Sequence, residues 1–380
     1  MIDIIISGIK YILARILTLF CKQKTNVWLF GERPDEARDN GYWMFKFVTE
    51  NHSEILSYYA ISSSCADYVK VSSLGKTVEY GSFKHYMLYF STSVYLSTHK
   101  YGYAPNPRLC RRADIYFNKN KKRIFLQHGI IMNFHPQDMY EDNDISLYVV
   151  SAEREMKFLM EKNHFPESHM CLSGLARYDN LYSFSTKNQI LFMPTWRGYL
   201  FEANEEEIKQ SDYFKKIQEL LSSEKLHKFL EETDTTFVFY PHYMMQKYLK
   251  NFGNLHCKVV LAEKEKYDVQ VLLKESKILI TDYSSVHFDF AYMKKPICYF
   301  QHDVEEFYGQ HYQKGYYDFY KDGFGDVIAD TDKLVDRIIE IHKNGAIMFP
   351  VYVKRVDDFY KFHDQENCVR IFNQVLSLGR

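Results

Sequence analysis

Short apolar runs recur along this chain, and nearly every one ends in a polar turn that leads into a helical pattern. Residues 27–30, 56–61, 94–97, 124–126, 146–150 and 170–172 form the first series, and residues 189–193, 236–240, 258–261, 278–281 and 296–300 the second. Strands that alternate with helices in this way predict parallel α/β architecture. The pattern restarts near residues 183–189, which predicts two Rossmann-like domains, 26–185 and 186–350, followed by a C-terminal helical segment, 351–380, with its helix over about 355–378. In such a fold ligands bind at the carboxyl ends of the strands, here expected in the cleft between the two domains.

The polar groups cluster at those strand ends. They are Glu32 and Arg33, His99, His128 with Gly129, Arg197, His242, and Asp282 with Ser284 and Ser285. Residues 278–290 are the most informative stretch. An apolar run ends at Thr281, and Val286, Phe290 and Met293 then follow at helical spacing. Ser284 or Ser285 is a natural N-cap, and a helix start offers unpaired N–H groups to a phosphate. An ordinary serine-capped turn has the same local pattern. It is the company of the other strand-end groups that favours a ligand site.

Composition bounds the rest. With 380 residues, 46% of them hydrophobic, the chain can furnish two cores. A formal net charge of −1 gives no global basic field, so nucleic acid is not an expected partner; Arg108, Arg111, Arg112 and the run Lys119, Lys121, Lys122, Arg123 are local patches only. The 32 Tyr and 29 Phe read as core packing, with carbohydrate stacking as the alternative. Seven scattered cysteines without a CxxC pair indicate neither a zinc ribbon nor a disulfide framework and fit a reducing cytoplasm.

Residues 1–20 are strongly apolar, yet Asp3, Ser7, Lys10, Thr18 and Lys22 recur at helical steps, with Arg15 beside them. They predict an amphipathic helix over residues 1–22 with one narrow polar stripe. No small-residue cleavage site follows, and two internal charges weaken a spanning segment. Two readings stay open. The helix lies in a membrane interface with its basic side toward headgroups, or it packs its apolar face on the protein itself. Residues 22–25 read as a linker.

Several motifs are missing: GxGxxG, GxxxxGK[ST] and GxSxG. Asp142-Asn143-Asp144 precedes a strand and reads as a solvated turn, not a metal site. Glu305-Glu306 reads as helix surface, since a glycosidase pair needs facing walls.

Phe30-Gly31-Glu32-Arg33 with Asp39-Asn40-Gly41 resembles the opening motif of the CDP-glycerol glycerophosphotransferases that build teichoic acids. Leu126-Gln127-His128-Gly129 is similar to their Trp-His-Gly turn, with Gln127 in place of Trp. Gly174-Leu175-Ala176-Arg177-Tyr178-Asp179 resembles their Gly-x-Pro-Arg-x-Asp segment, with Ala176 for proline. Pro194-Thr195-Trp196-Arg197 matches, and Tyr240-Pro241-His242 sits at their His-Pro in reversed order. Thr281-Asp282-Tyr283-Ser284-Ser285 with Asp289, Lys295-Pro296 and Asp303 is the strongest part, and Gly315-Tyr316-Tyr317-Asp318 and Gly323-Phe324-Gly325 extend it. The resemblance runs over about residues 26–330.

The resemblance implies a GT-B fold, a CDP-glycerol or CDP-ribitol donor, and a polyprenyl-diphosphate-linked saccharide acceptor at the cytoplasmic face of the membrane, where the protein would be peripheral. It implies His128 as general base and His242 as a catalytic donor to phosphoryl oxygens. Gly129, Pro194, Thr195, Arg197, Asp282, Ser284, Ser285 and Asp289 would line the CDP-polyol, and Glu32, Arg33, His99 and Arg177 would serve the acceptor or the scaffold. No metal or other cofactor is needed if these donors suffice. Another GT-B enzyme, a nucleotide-sugar glycosyltransferase or epimerase, is the alternative within enzymes; a non-catalytic nucleotide-binding membrane protein is the alternative outside them.

Overall fold

The computed structural model describes residues 2–20, 26–118, 121–134, 136–253, 255–310 and 313–378. Lys22, the linker at 22–25 and Lys119 lie outside them. The chain divides into two compact units. One comprises Met1–Ile130, Pro136–Asn180 and Asp364–Arg380, and the other Ile131–His135 and Leu181–His363. Each unit is built on a parallel sheet flanked by helices, which is the GT-B-like arrangement.

The first unit holds β1 (Val27–Gly31), β2 (Leu56–Ile61), β3 (Lys76–Glu79), β4 (Val94–Ser97), β5 (Lys122–Phe125), β6 (Leu147–Val150) and β7 (Met170–Leu172). Their order in the sheet is β3-β2-β1-β4-β5-β6-β7, and the pairs are parallel. The second holds β8 (Gln189–Met193), β9 (Thr236–Phe239), β10 (Val259–Leu261), β11 (Ile278–Thr281), β12 (Ile297–Phe300) and β13 (Gly325–Ile328), in the order β10-β9-β8-β11-β12-β13. β1, β4, β6, β8, β11 and β12 are buried at every residue, as expected for strands covered on both faces.

The strand order reverses direction once in each sheet, between β1 and β4 and between β8 and β11. A crevice opens at such a reversal, outside the carboxyl ends of the strands. His99 follows β4, and Asp282 follows β11, so the polar turns stand where the topology makes room for a ligand. The helices of the first unit are α1 (Ile2–Leu19), α2 (Asn40–Asn51), α3 (Tyr68–Leu74), α4 (Phe83–Ser91), α5 (Pro107–Phe117) and α6 (Glu153–Asn163), with a last helix at Asn367–Ser377. Their starts follow local chemistry: Ser82 accepts from the His85 N–H at α4, and Asn106 accepts from Leu109 before Pro107 opens α5.

α1 departs from the self-packing reading, and the basic residues that the membrane reading turned toward headgroups face the protein. Its polar stripe faces the protein. Tyr11, Ala14 and Thr18 are buried, Lys10 Nζ donates to the Gly81 carbonyl (3.1 Å), and the Arg15 guanidinium lies over Phe90. The apolar face points outward instead, with Ile4 67% and Ile12 60% exposed beside Ile5, Ile9, Leu13, Ile16 and Leu17. The stripe wins the interior because its groups find partners there. The Tyr11 hydroxyl donates to Asp114 (3.2 Å), and Asp114 also accepts from Tyr89 and from Arg123 Nη2 (2.9 Å). No described helix is long and apolar enough to cross a membrane.

Two smaller expectations change. The single helix over 355–378 is two, Pro350–Phe359 and Asn367–Ser377, interrupted where the Tyr360 hydroxyl reaches the Phe288 carbonyl. The second of these packs in the first unit, where Phe372 stacks on His52 and lies 5.4 Å from Trp28. Asp144 is not merely solvated, because it pairs with the buried Arg123 at 2.7 Å.

Asp114 and Arg123 are 1% and 2% exposed, so removing one partner leaves an uncompensated charge. Asp114→Ala is expected to lower the stability of the first unit by about 3–5 kcal/mol in urea unfolding. A loss below about 1 kcal/mol would show that the pair and its tyrosines add little.

Candidate active site

In the first unit, the carboxyl ends of β1, β4 and β5 bring together Glu32, His99 and His128. The turn after β5 presents His128 with its side chain 65% exposed. Its Nδ1 meets Asp39 Oδ2 at 2.5 Å. Asp39 is the N-cap of α2 and accepts there from the Asn40 N–H (2.7 Å), and its Oδ1 also takes Arg177 Nη1 at 2.6 Å. Arg177 Nη1 donates besides to the His128 carbonyl at 2.9 Å. One carboxylate thus orients both a histidine and an arginine.

These contacts set the charges. The Asp39 charge raises the His128 imidazole above its usual 6.5. Burial alone would raise Asp39, but Arg177 and His128 hold its carboxyl well below the usual carboxylate range. An Nδ1 engaged by a carboxylate is the protonated nitrogen of the neutral ring, which leaves the Nε2 lone pair to accept a proton. His99 lies 5.0 Å away, ring to ring, and burial and the neighbouring His128 push it down to about 4, so it stays neutral near pH 7. Its Nδ1 is satisfied by the Thr98 hydroxyl at 3.0 Å.

Glu32 is 1% exposed and acts as scaffold. Its oxygens accept from the backbone N–H groups of Arg38 (2.9 Å), Asp39 (3.1 Å) and Tyr42 (2.8 Å), which holds the loop between β1 and α2. Burial and the adjacent Asp39 charge push its carboxyl upward. Gly41 is required here, because a Cβ would stand 2.8 Å from Glu32 Cγ. Arg33 points to Glu36 at 3.5 Å and is 40% exposed.

The turn that carries His128 is strained and braced. Gln127 has φ +61°, a left-handed conformation that costs a non-glycine residue about 1–2 kcal/mol. The Asn40 side chain spans it, donating from Nδ2 to the Gln127 carbonyl (2.8 Å) and accepting the Arg177 N–H (2.9 Å). Asp39 and Asn40 brace the His128 turn, a role that strand-end counting does not give them, although Asp39-Asn40-Gly41 is part of the motif. The sequence shows the pair as the start of the helix after the first strand, which is where α2 begins.

In the second unit, the groups expected to bind a ligand sort into two classes. Arg197 is fully buried, donating from Nη1 to Asp282 (2.8 Å) and the Thr195 carbonyl (2.7 Å), and from Nε and Nη2 to Asp303 (2.5 and 3.0 Å). It also packs on the Tyr213 and Tyr283 rings at 4.7 and 5.1 Å. Although burial works against its charge, Asp282 and Asp303 keep it protonated. Asp282 accepts from the Thr195 and Tyr283 N–H groups as well (2.8 and 2.6 Å). Arg197 and Asp282 therefore lock the ends of β8, β11 and β12 together, with both side chains buried. Asp289, 2% exposed, and Pro194 are buried as well.

Thr195, His242, Ser284 and Ser285 are the half-buried remainder, and Ser285 makes no side-chain capping bond at Val286–Tyr292. His242 caps the short helix Tyr243–Gln246 through Nδ1, accepting from Met244 at 3.4 Å. Gly129, by contrast, is buried in the first unit behind His128. Among the described residues no group of three His, Cys, Asp or Glu side chains is arranged to hold a metal.

Two measurements follow. In NMR titration, His128 is expected above 6.5, and Asp39→Asn should move it down toward that value; an unmoved titration would sever the pair. Arg197→Ala strands two buried carboxylates, so a stability loss of about 3–5 kcal/mol is expected. A stable variant defective only in ligand affinity would return Arg197 to the ligand.

Known proteins resemble this chain in sequence and in fold. Residues 12–377 match the family described as CDP-Glycerol:Poly(glycerophosphate) glycerophosphotransferase. The minor teichoic acid biosynthesis protein GgaB of Bacillus subtilis is 36% identical over 376 residues, 96% of this chain but 41% of that protein. A teichoic acid poly(glycerol phosphate) polymerase of Bacillus spizizenii is 33% identical over 180 residues, 47% of this chain and 40% of its own. This chain thus spans well under half the length of these two relatives. Among solved structures, the wall teichoic acid polymerase TagF soaked with CDPG superposes with a TM-score of 0.70 at 17% identity, covering 99% of this chain and 97% of that one.

Proposed function

This chain belongs to the CDP-glycerol:poly(glycerophosphate) glycerophosphotransferase family, and from that premise we propose that it moves a glycerol phosphate unit from CDP-glycerol to a hydroxyl of a lipid-linked acceptor, releasing CMP. The polymer would be a teichoic acid or a capsular analogue. The observation that carries the reading is the contact between His128 and Asp39, which prepares a proton acceptor at the end of a parallel strand.

The acceptor oxygen attacks the donor phosphorus that bears glycerol. Its proton passes to His128 Nε2, the new O–P bond forms, and the P–O bond to CMP breaks. The Asp39 carboxylate stabilises the imidazolium that results. In the second unit the donor pyrophosphate is assigned to the hydroxyls of Thr195, Ser284 and Ser285 and to His242. Such donors stabilise charge that develops on phosphoryl oxygens. Arg197 contributes by holding those turns.

The acceptor is a polyprenyl-diphosphate-linked saccharide, which places the work at the cytoplasmic face of a membrane. The outward apolar face of α1 supports peripheral attachment, since a row of exposed Ile and Leu on one helix is a surface that water penalises. Exposed Arg108, Arg111 and Arg112 on α5 supply charge that suits anionic headgroups.

The test is release of CMP by the purified chain, offered CDP-glycerol, CDP-ribitol or UDP-sugars with a lipid-linked acceptor. CMP formed from CDP-glycerol is expected, with His128→Ala slower by about 10²–10⁴-fold. Turnover of CDP-ribitol alone would reassign the donor, turnover of UDP-sugars alone would favour another GT-B reaction, and no turnover of any donor would favour a binding protein. For the membrane, Ile9→Glu, Ile12→Glu and Ile16→Glu together should abolish flotation with anionic liposomes while the melting temperature stays unchanged. Undiminished flotation would remove α1 from the account.

A further inference from the structure

We infer that Gln127 is a positioning residue, whose side-chain amide ties the His128 turn sideways to Glu155 and so fixes the aim of the imidazole at Asp39. The inference rests on the His128 reading for its kinetic consequence; its structural part does not.

Gln127 is wholly buried, and it holds the left-handed backbone conformation without being glycine. A residue in that state persists only where its surroundings over-determine it. Here two sets of contacts do so from opposite sides. On one side, Asn40 takes the Gln127 carbonyl at 2.8 Å, and Arg177 takes the His128 carbonyl at 2.9 Å. On the other, Gln127 Nε2 donates to the Val149 carbonyl at the end of β6 and to Glu155 Oε1 (3.0 Å) in the first turn of α6. Glu155 is itself fully buried, with Oε2 accepting the Ser151 N–H at 2.8 Å. Both sides of the β5 turn are therefore pinned, and the amide links the turn to β6 and α6.

The consequence lies one residue on. His128 is exposed, so its ring is held chiefly by Asp39 and by the backbone that presents it. If the amide is removed, the turn can settle toward ordinary backbone, and Nδ1 then loses its contact with Asp39. The charged or titratable groups facing the ring are Asp39, Arg177, Arg33 and His99. Asp39 raises its proton affinity most, while Arg177 and Arg33 lower it, so a turn that slackens away from Asp39 lowers it.

Gln127→Gly separates the two roles of this position, because glycine accepts the left-handed conformation freely but carries no amide. Gln127→Asn is the companion variant, tolerant of that conformation and too short to reach Glu155. In both, the His128 titration by NMR should fall toward 6.5, and kcat should fall by roughly ten- to a hundredfold with KM within twofold. Glu155→Gln should move both readouts the same way, since one amide oxygen cannot serve Gln127 and Ser151 together. An unchanged titration and kcat in Gln127→Gly would overturn the inference, leaving backbone conformation alone as the requirement. If His128→Ala retains full turnover, the base assignment fails, while the titration still decides whether Gln127 aims the ring. A fall in KM affinity alone would also count against it, because a displaced base does not weaken substrate binding.

Discussion

The Asp39 carboxylate is the contact on which the first unit's site depends. It caps α2, accepts from Arg177 and meets His128 Nδ1, so a single residue joins the loop after β1, the turn after β5 and the segment after β7. The first two of those pieces are loop, while Arg177 comes from a buried helical turn, Ala176–Asn180, that gives the loops a firm partner. What gives them a defined geometry is buried charge: a carboxylate held ionised by an arginine, resting on Glu32, whose oxygens gather the N–H groups of the same loop. The exposed imidazole inherits its direction from this arrangement.

The second unit solves the same problem with a different centre. Arg197 replaces the carboxylate as the hub, and Asp282, Asp303 and three aromatic faces converge on it. A guanidinium with both terminal nitrogens occupied by carboxylates in the interior is structural, because its desolvation has been met within the fold. The charged residues that a motif reader would give to the phosphates are thus the frame, and the hydroxyls and His242 stand at its edge. That division suits a reaction in which the leaving group must depart, since fixed dipoles stabilise developing charge without holding the product as a buried salt bridge would.

Much of the fold was legible because its strands are buried on both faces and end in polar turns. The runs at 56–61, 94–97, 170–172, 189–193 and 278–281 coincide with observed strands. β3, with one buried residue in four, and β13, led by Gly325, carry no such apolar signal and went unread. Polar residues at strand ends pointed to the right turns but not to their roles, which depend on burial. Arg197 and Ser284 look alike as ligand donors until one is seen to be enclosed by carboxylates. Asp39 and Asn40 follow a strand by a loop of several residues, so counting from strand ends passes over them. For α1 the sequence revealed the two faces but not which would turn inward, because that depended on Asp114 and the Gly81 carbonyl waiting for its tyrosine and lysine.

In the proposed reaction a carboxylate-oriented histidine takes the acceptor's proton, and kcat/KM for CMP release followed against pH, beside the titration of His128 in the same protein, tests that role. Only the neutral ring can accept a proton, so activity must fall as pH drops through the raised His128 value. The expected result is an acidic limb whose midpoint coincides with that titration and moves downward with it when the Asp39 charge is removed. A rate that stays level while His128 passes from neutral to charged would contradict it.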